Sequence, residues 1–128
     1  MSTTPNESIL DISPEQASVI RRNQLKYVTT LAHVAEHANL NEAEIFPTGD
    51  TLRSVAKIAD GGIVFNKRMY KLPNTAAIAC QILYSGAWQP VDGWKYWSTI
   101  QNGEIVSLEK LREKLLDEKM RHGDTISD

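Results

Sequence analysis

The run GGIVFNKRMYKLP (61–73) constrains the fold more than any other stretch of this chain. Apolar and β-favouring residues flank Asn66-Lys67, and asparagine tolerates the left-handed backbone of a tight turn. The spacing predicts a hairpin, with Ile63-Val64-Phe65 and Met69-Tyr70-Lys71 as its strands. Pro73 then opens PNTAAIACQILYS, which is apolar nearly all round and closed by Gly86. Such a helix is expected to lie buried against the sheet. Hairpin followed by buried helix points to an α+β fold.

Neighbouring segments extend this pattern. Ser13 is an N-cap candidate, Pro14 suits the first helical position, and Gln16 completes a capping box. Ile20, Tyr27, Val28, Leu31, Val34, Ala35 and Ala38 recur at helical spacing, interrupted at Gln24, which predicts one helix over 13–39 ended by Asn39. EIFPTGDT (44–51) reads as a connector, because Pro47 and Gly49 break regular structure. LRSVAKIA (52–59) alternates, with Leu52, Ser54, Ala56 and Ile58 on one side, and reads as a strand. VDGWKYWST (91–99) reads as a turn and an aromatic strand, followed by the turn QNGE (101–104). Ser107 caps a last helix whose inner face is Leu108, Leu111 and Leu115, with Val106 and Leu111 as a hydrophobic staple. The polar stretch 1–12 and the charged stretch 119–128 read as flexible tails.

Composition excludes several classes. At 128 residues the chain is one domain with tails, and its net charge of −2 at pH 7 announces neither a nucleic-acid binder nor a membrane-surface protein. No apolar run is long enough to cross a bilayer, and the polar N-terminus lacks a signal peptide's basic and apolar regions. Cys80 is the only cysteine, so no internal disulfide forms, which fits a cytoplasmic location. Cys80 itself reads as a small core residue of an apolar helix rather than a nucleophile.

HVAEH (33–37) spells H-x-x-E-H, a zinc-protease signature in which two histidines hold the metal and the glutamate activates water. Here His33, Glu36 and His37 fall off the apolar stripe, on a solvent face with no cleft, where the pair is at most an adventitious metal site. Nucleotide-binding glycine loops and nucleophile elbows are also absent from the sequence. No enzyme, cofactor or metal is therefore expected.

Charge is distributed unevenly. Arg53, Lys57, Lys67, Arg68 and Lys71 face the single acid Asp60 across 53–71, and Lys95 adds to them. Basic strands beside aromatic rings can track a phosphate backbone and stack on bases. Lysines at a sheet edge equally serve to discourage aggregation. Within DGWKYW, strand alternation sends Trp94 and Trp97 to opposite faces, with Trp94 expected in the core and Trp97 at the surface.

The order IADGGIVFNKRMYKLPNTAAIAC, DGWKYW and SLEKLREKLL resembles the RAMA domain, the restriction-enzyme-and-adenine-methylase-associated module. Gly62-Ile63 match its first strand, Tyr70 its tyrosine, Leu72 to Ala77 its helix entry, Asp92-Gly93-Trp94 and Trp97 its aromatic element, and Leu108, Leu111 and Arg112 its last helix. Leu72 and Asn74 stand where the pattern has serines, with Asn74 expected to cap the helix, and Asp92 replaces an asparagine. The resemblance spans about 50–116 and implies a domain over 50–118 that recognises DNA, including modified DNA, in restriction-modification or defence.

The expectation is thus a small antiparallel sheet with a buried helix, a C-terminal helix and an added N-terminal helix. Its role is that of a non-catalytic DNA-binding or modified-DNA-sensing module, with Arg53, Lys57, Lys67, Arg68, Lys71, Lys95 and Trp97 as nucleic-acid contacts. The alternative is an accessory or inhibitory subunit that binds a protein, or a second copy of itself, through the N-terminal helix, where Arg21, Arg22 and Lys26 lie off the apolar stripe.

Overall fold

The computed structural model of the chain describes residues 12–50 and 56–121. Helix α1 (Pro14–Val28) begins as its sequence predicts, with the full capping box between Ser13 and Gln16. It does not continue to Ala38. Thr29 folds its hydroxyl back onto the Leu25 carbonyl at 2.6 Å, and Thr30 is extended and caps a separate helix α2 (Leu31–Ala38). The His33 backbone N–H donates to the Thr30 hydroxyl at 3.3 Å, and the His33 ring accepts from the Thr30 N–H at 3.2 Å. Two adjacent β-branched threonines that bond locally end one helix and start the next. Asn39 terminates α2 in the left-handed conformation.

The sheet has six antiparallel strands in the order β4-β3-β2-β1-β5-β6. These are β1 (Glu44–Pro47), β2 (Ala56–Ala59), β3 (Gly62–Phe65), β4 (Arg68–Tyr70), β5 (Trp97–Gln101) and β6 (Glu104–Ser107). Strand β1, expected as a connector, lies in the middle of the sheet. Glu44 and Ile45 pair with β2, while Phe46 and Pro47 pair with β5. A boundary at residue 50 therefore falls inside one sheet. The β3–β4 turn is Asn66-Lys67, as expected, with positive φ at both residues, the geometry a two-residue hairpin needs. Asn102-Gly103 makes the same kind of turn between β5 and β6.

One face of the sheet carries the core. Ile45, Ala56, Ile58, Ile63 and Phe65 meet Leu31 and Val34 of α2. Helix α3 (Pro73–Ser85) adds Ala76, Ala77 and Cys80, and helix α5 (Leu108–Arg121) adds Leu108, Leu111 and Leu115. Only one side of α3 is buried, contrary to the expectation for an apolar helix. Ile82, Leu83 and Tyr84 are exposed beyond the sheet's reach. Ser107 caps α5 through the Lys110 N–H at 3.1 Å, and α5 runs to Arg121, past the tail expected from residue 119. Residues 1–11, expected as most of the other tail, lie outside the described residues.

Helix α1 sits outside this core. Leu25 is its only buried residue, and Arg22 grips α5 through Glu113 and, at 2.7 Å, Asp117. The Glu113 hydrogen bond is the chief cause of a raised pKa at Arg22. Ile20, Tyr27 and Val28, expected in the core stripe, are exposed instead. The threonine break explains this, because it gives the inward-facing role to α2 alone. Thr30→Ala, which removes the α2 cap, is expected to lower stability by about 1 kcal/mol in thermal melting.

Candidate nucleic-acid interface

The residues of DGWKYW adopt a local structure that reverses the roles expected of their rings. Asp92 is an N-cap, its carboxylate accepting the Trp94 N–H at 3.0 Å, and it starts a short helix α4 (Gly93–Tyr96). Thr48 closes the far end, donating its hydroxyl to the Lys95 carbonyl at 2.8 Å and its N–H to the Tyr96 carbonyl at 2.7 Å. The strand starts only at Trp97, so strand alternation does not relate the two tryptophans. Trp97 is 0% exposed, while Trp94 is half-buried. An aspartate two residues before Trp94 is the N-cap signal that reveals this.

Trp97 is the centre of the junction. Its indole N–H donates to the Pro73 carbonyl at 3.2 Å, and Tyr96 packs edge-on against it at 5.0 Å. Phe65 lies on another side, its ring centroid 6.4 Å away. Beside it, the Gly93 N–H donates to the Asn74 side-chain oxygen at 2.6 Å. Asn74 thus holds α4 instead of capping α3, whose start has no side-chain cap. A β-carbon on Gly93 would overlap the Pro73 carbonyl carbon and the Asn74 nitrogen, so close approach, not backbone torsion, requires glycine here. Trp94 faces the other way, with the Arg112 guanidinium 4.2 Å from its ring centroid. Burial holds the Arg112 pKa below its ordinary value, partly offset by the charges of Asp92, Glu109 and Glu113. Arg112 is 6% exposed, and its buried Nε lacks a hydrogen-bond partner among the described residues.

The expected contact residues separate into four cases. Lys67, Arg68, Lys71 and Lys95 are exposed, and among the described residues none forms an ion pair. Lys67 and Arg68 stand at the β3–β4 turn, Lys71 follows the edge strand β4, and Lys95 projects from α4. Lys57 is exposed but engaged, its ammonium 2.9 Å from Glu42, which is the main cause of its raised pKa. Trp97 is a core residue and offers no ring to a ligand, which corrects its expected role. Arg53 lies outside the described residues.

The exposed tryptophan is Trp88, 52% accessible in the loop after α3. Gln81 anchors that loop by accepting the Gln89 N–H at 3.1 Å and donating to its carbonyl at 3.3 Å. Its position in a loop between the helix stop at Gly86 and Pro90 was the available sequence signal. His33 and His37 do not converge on a metal site. His33 serves the α2 cap, and the His37 ring lies 3.3 Å from Glu118. Among the described residues, no three histidine, cysteine or acidic side chains cluster as metal ligands. A groove of about 550 Å³ runs between the end of α2, the β5–β6 turn and α5, with His37 and Lys114 as its titratable lining residues. No described helix is long and apolar enough to cross a membrane. Compared with known proteins, the chain matches no family model, no curated protein and no solved structure.

Truncating the buried ring, Trp97→Ala, is expected to cost about 3–5 kcal/mol of stability. Gly93→Ala, which overpacks the same junction, is expected to cost about 1–3 kcal/mol. Denaturant titration of both variants checks these values, and near-wild-type stability in either would contradict the junction as described.

Proposed function

We propose that the chain is a non-catalytic DNA-binding module that holds nucleic acid along the β4 edge of its sheet. One observation carries this reading: Lys67, Arg68, Lys71 and Lys95 are exposed and unpaired among the described residues. From Arg68 to Lys71 the edge covers about 10 Å, with Lys67 beyond it at the turn, enough to follow neighbouring phosphates of one strand. The sequence resemblance to the RAMA domain supports the same ligand class. Sensing of modified bases and a role in restriction-modification or defence belong to the proposal on that resemblance alone. Trp88 replaces Trp97 as the ring offered to an unpaired base, because it is the accessible indole on an anchored loop.

A second reading, a protein-interaction role for α1, is favoured by the exposed Val19, Ile20, Tyr27 and Val28. Apolar side chains gathered on one accessible helix face mark an interaction surface more often than scattered ones do.

Lys67→Ala combined with Arg68→Ala is expected to weaken binding to unrelated duplexes about equally. The slope of log affinity against log salt should flatten by about two, because each removed cation leaves one phosphate with its counterion. Trp88→Ala should leave that slope intact and reduce single-strand affinity by about 1–3 kcal/mol. Anisotropy titrations at several salt concentrations measure both effects. Unchanged affinity and slope in the double variant would remove the β4 edge from the reading.

A further inference from the structure

Helix α1 is only half docked. Leu25, Thr29 and Arg22 turn toward the body of the protein, and Arg22 binds α5 there. The opposite face carries two shallow apolar grooves end to end. One, about 410 Å³, is lined by Ile12, Val19 and Ile20 among others, and the next, about 430 Å³, by Ile20, Tyr27 and Val28 among others. Tyr27 is 90% exposed, Val19 and Val28 are each 59% exposed, and every residue from Pro14 to Ile20 is accessible. A helix of this length is marginal in water without a packed face. The interruption at Thr29 removes α2's packing from it.

We propose that this face pairs with the same face of a second copy, as an antiparallel α1–α1 contact about a two-fold axis at Ile20. The inference rests on the protein-interaction reading of α1 and narrows it to one partner. Two features of the sequence fit a copy of itself. The first is symmetry about Ile20: Gln16 and Gln24 lie four residues to either side on the helix, Val28 ends the helix eight after it, and Ile12 lies eight before it, just ahead of the Ser13 cap. Antiparallel pairing about that residue sets Gln16 against the other Gln24, and brings the start of each helix, with Ile12 ahead of its cap, beside the end of the other at Val28. The second is charge. Glu15 and Lys26 flank the apolar stripe on the same side of the helix, since eleven residues make about three turns. In an antiparallel pair, like flanks face each other, so each Glu15 lies within one residue, about 1.5 Å along the axis, of the partner copy's Lys26. Both are exposed, and neither forms an ion pair among the described residues. A two-fold contact is self-complementary by construction, and this arrangement meets that condition.

One helix pair is a small interface, so the dimer should dissociate on dilution. Sedimentation equilibrium of the full chain from micromolar to millimolar concentration is expected to show a monomer–dimer equilibrium. Ile20→Glu puts two carboxylates together on the axis and should raise the dissociation constant by about a hundredfold or more. Its circular dichroism and melting at low concentration should match wild type, because Ile20 is exposed in the monomer. Glu15→Lys and Lys26→Glu should each weaken the dimer in low salt, and the double exchange should restore it. A wild-type chain that stays monomeric throughout overturns the self-pairing while leaving other protein partners for α1 open to a separate test. A dimer unaffected by Ile20→Glu places the contact elsewhere and removes α1 from it. Failure of the double exchange to restore the affinity of the wild-type dimer overturns the antiparallel arrangement.

Discussion

The buried Trp97 indole is the contact on which the rest of the arrangement depends. Its N–H to the Pro73 carbonyl joins the first residue of β5 to the first turn of α3. Because Trp97 pairs with Pro47, the same residue also fixes where β1 crosses into the second half of the sheet. Asn74 and Gly93 repeat the link from the other side. Three separate stretches of the chain, β1, α3 and the adjoining α4 and β5, therefore share one fixed point in the close-packed interior. The Trp97 ring, which its motif suggests as a ligand platform, is therefore sealed in the core and faces no ligand. Its neighbour Trp94 is committed as well, since it covers the guanidinium of a buried arginine.

The accessible cations stand where their physical duties overlap. At an edge strand, lysine and arginine oppose pairing with another chain's strand, because the charges would have to be desolvated. The same unpaired charges attract phosphate. Lys57, two strands further in, differs because Glu42 neutralises it and Glu44 lies nearby. Basic character is thus strongest at the periphery of the hairpin and falls off toward the middle of the sheet. Counting charges along the sequence cannot show that gradient.

Local features of the fold were legible in the sequence. The capping box at Ser13, the turns at Asn66-Lys67 and Asn102-Gly103, and the stop at Gly86 are each specified by two to four adjacent residues. Features that depend on distant partners were not. EIFP contains a proline and too few residues to show a period, and only its neighbours β2 and β5 make it a strand. The apolar stripe passes unbroken through Thr29-Thr30, so periodicity alone gives one helix where local hydroxyl bonding makes two. At the candidate interface, the four exposed cations were legible by charge, whereas the fate of Trp97 turned on a helical cap a few residues earlier.

The divided pairing of β1 bears on the order in which the molecule can assemble. Strands β2, β3 and β4 are joined by tight turns, and β5 and β6 likewise, so each set can zip from its own loop at little entropic cost. Strand β1 has no such neighbour on its β5 side, which arrives only after α3 and α4 have passed. During synthesis on a ribosome, Phe46 and Pro47 are therefore made well before the residues that complete them. Their side of β1 remains an open edge until the aromatic segment emerges, and this is the interval in which the unfinished sheet is most accessible to a chaperone or a stray strand.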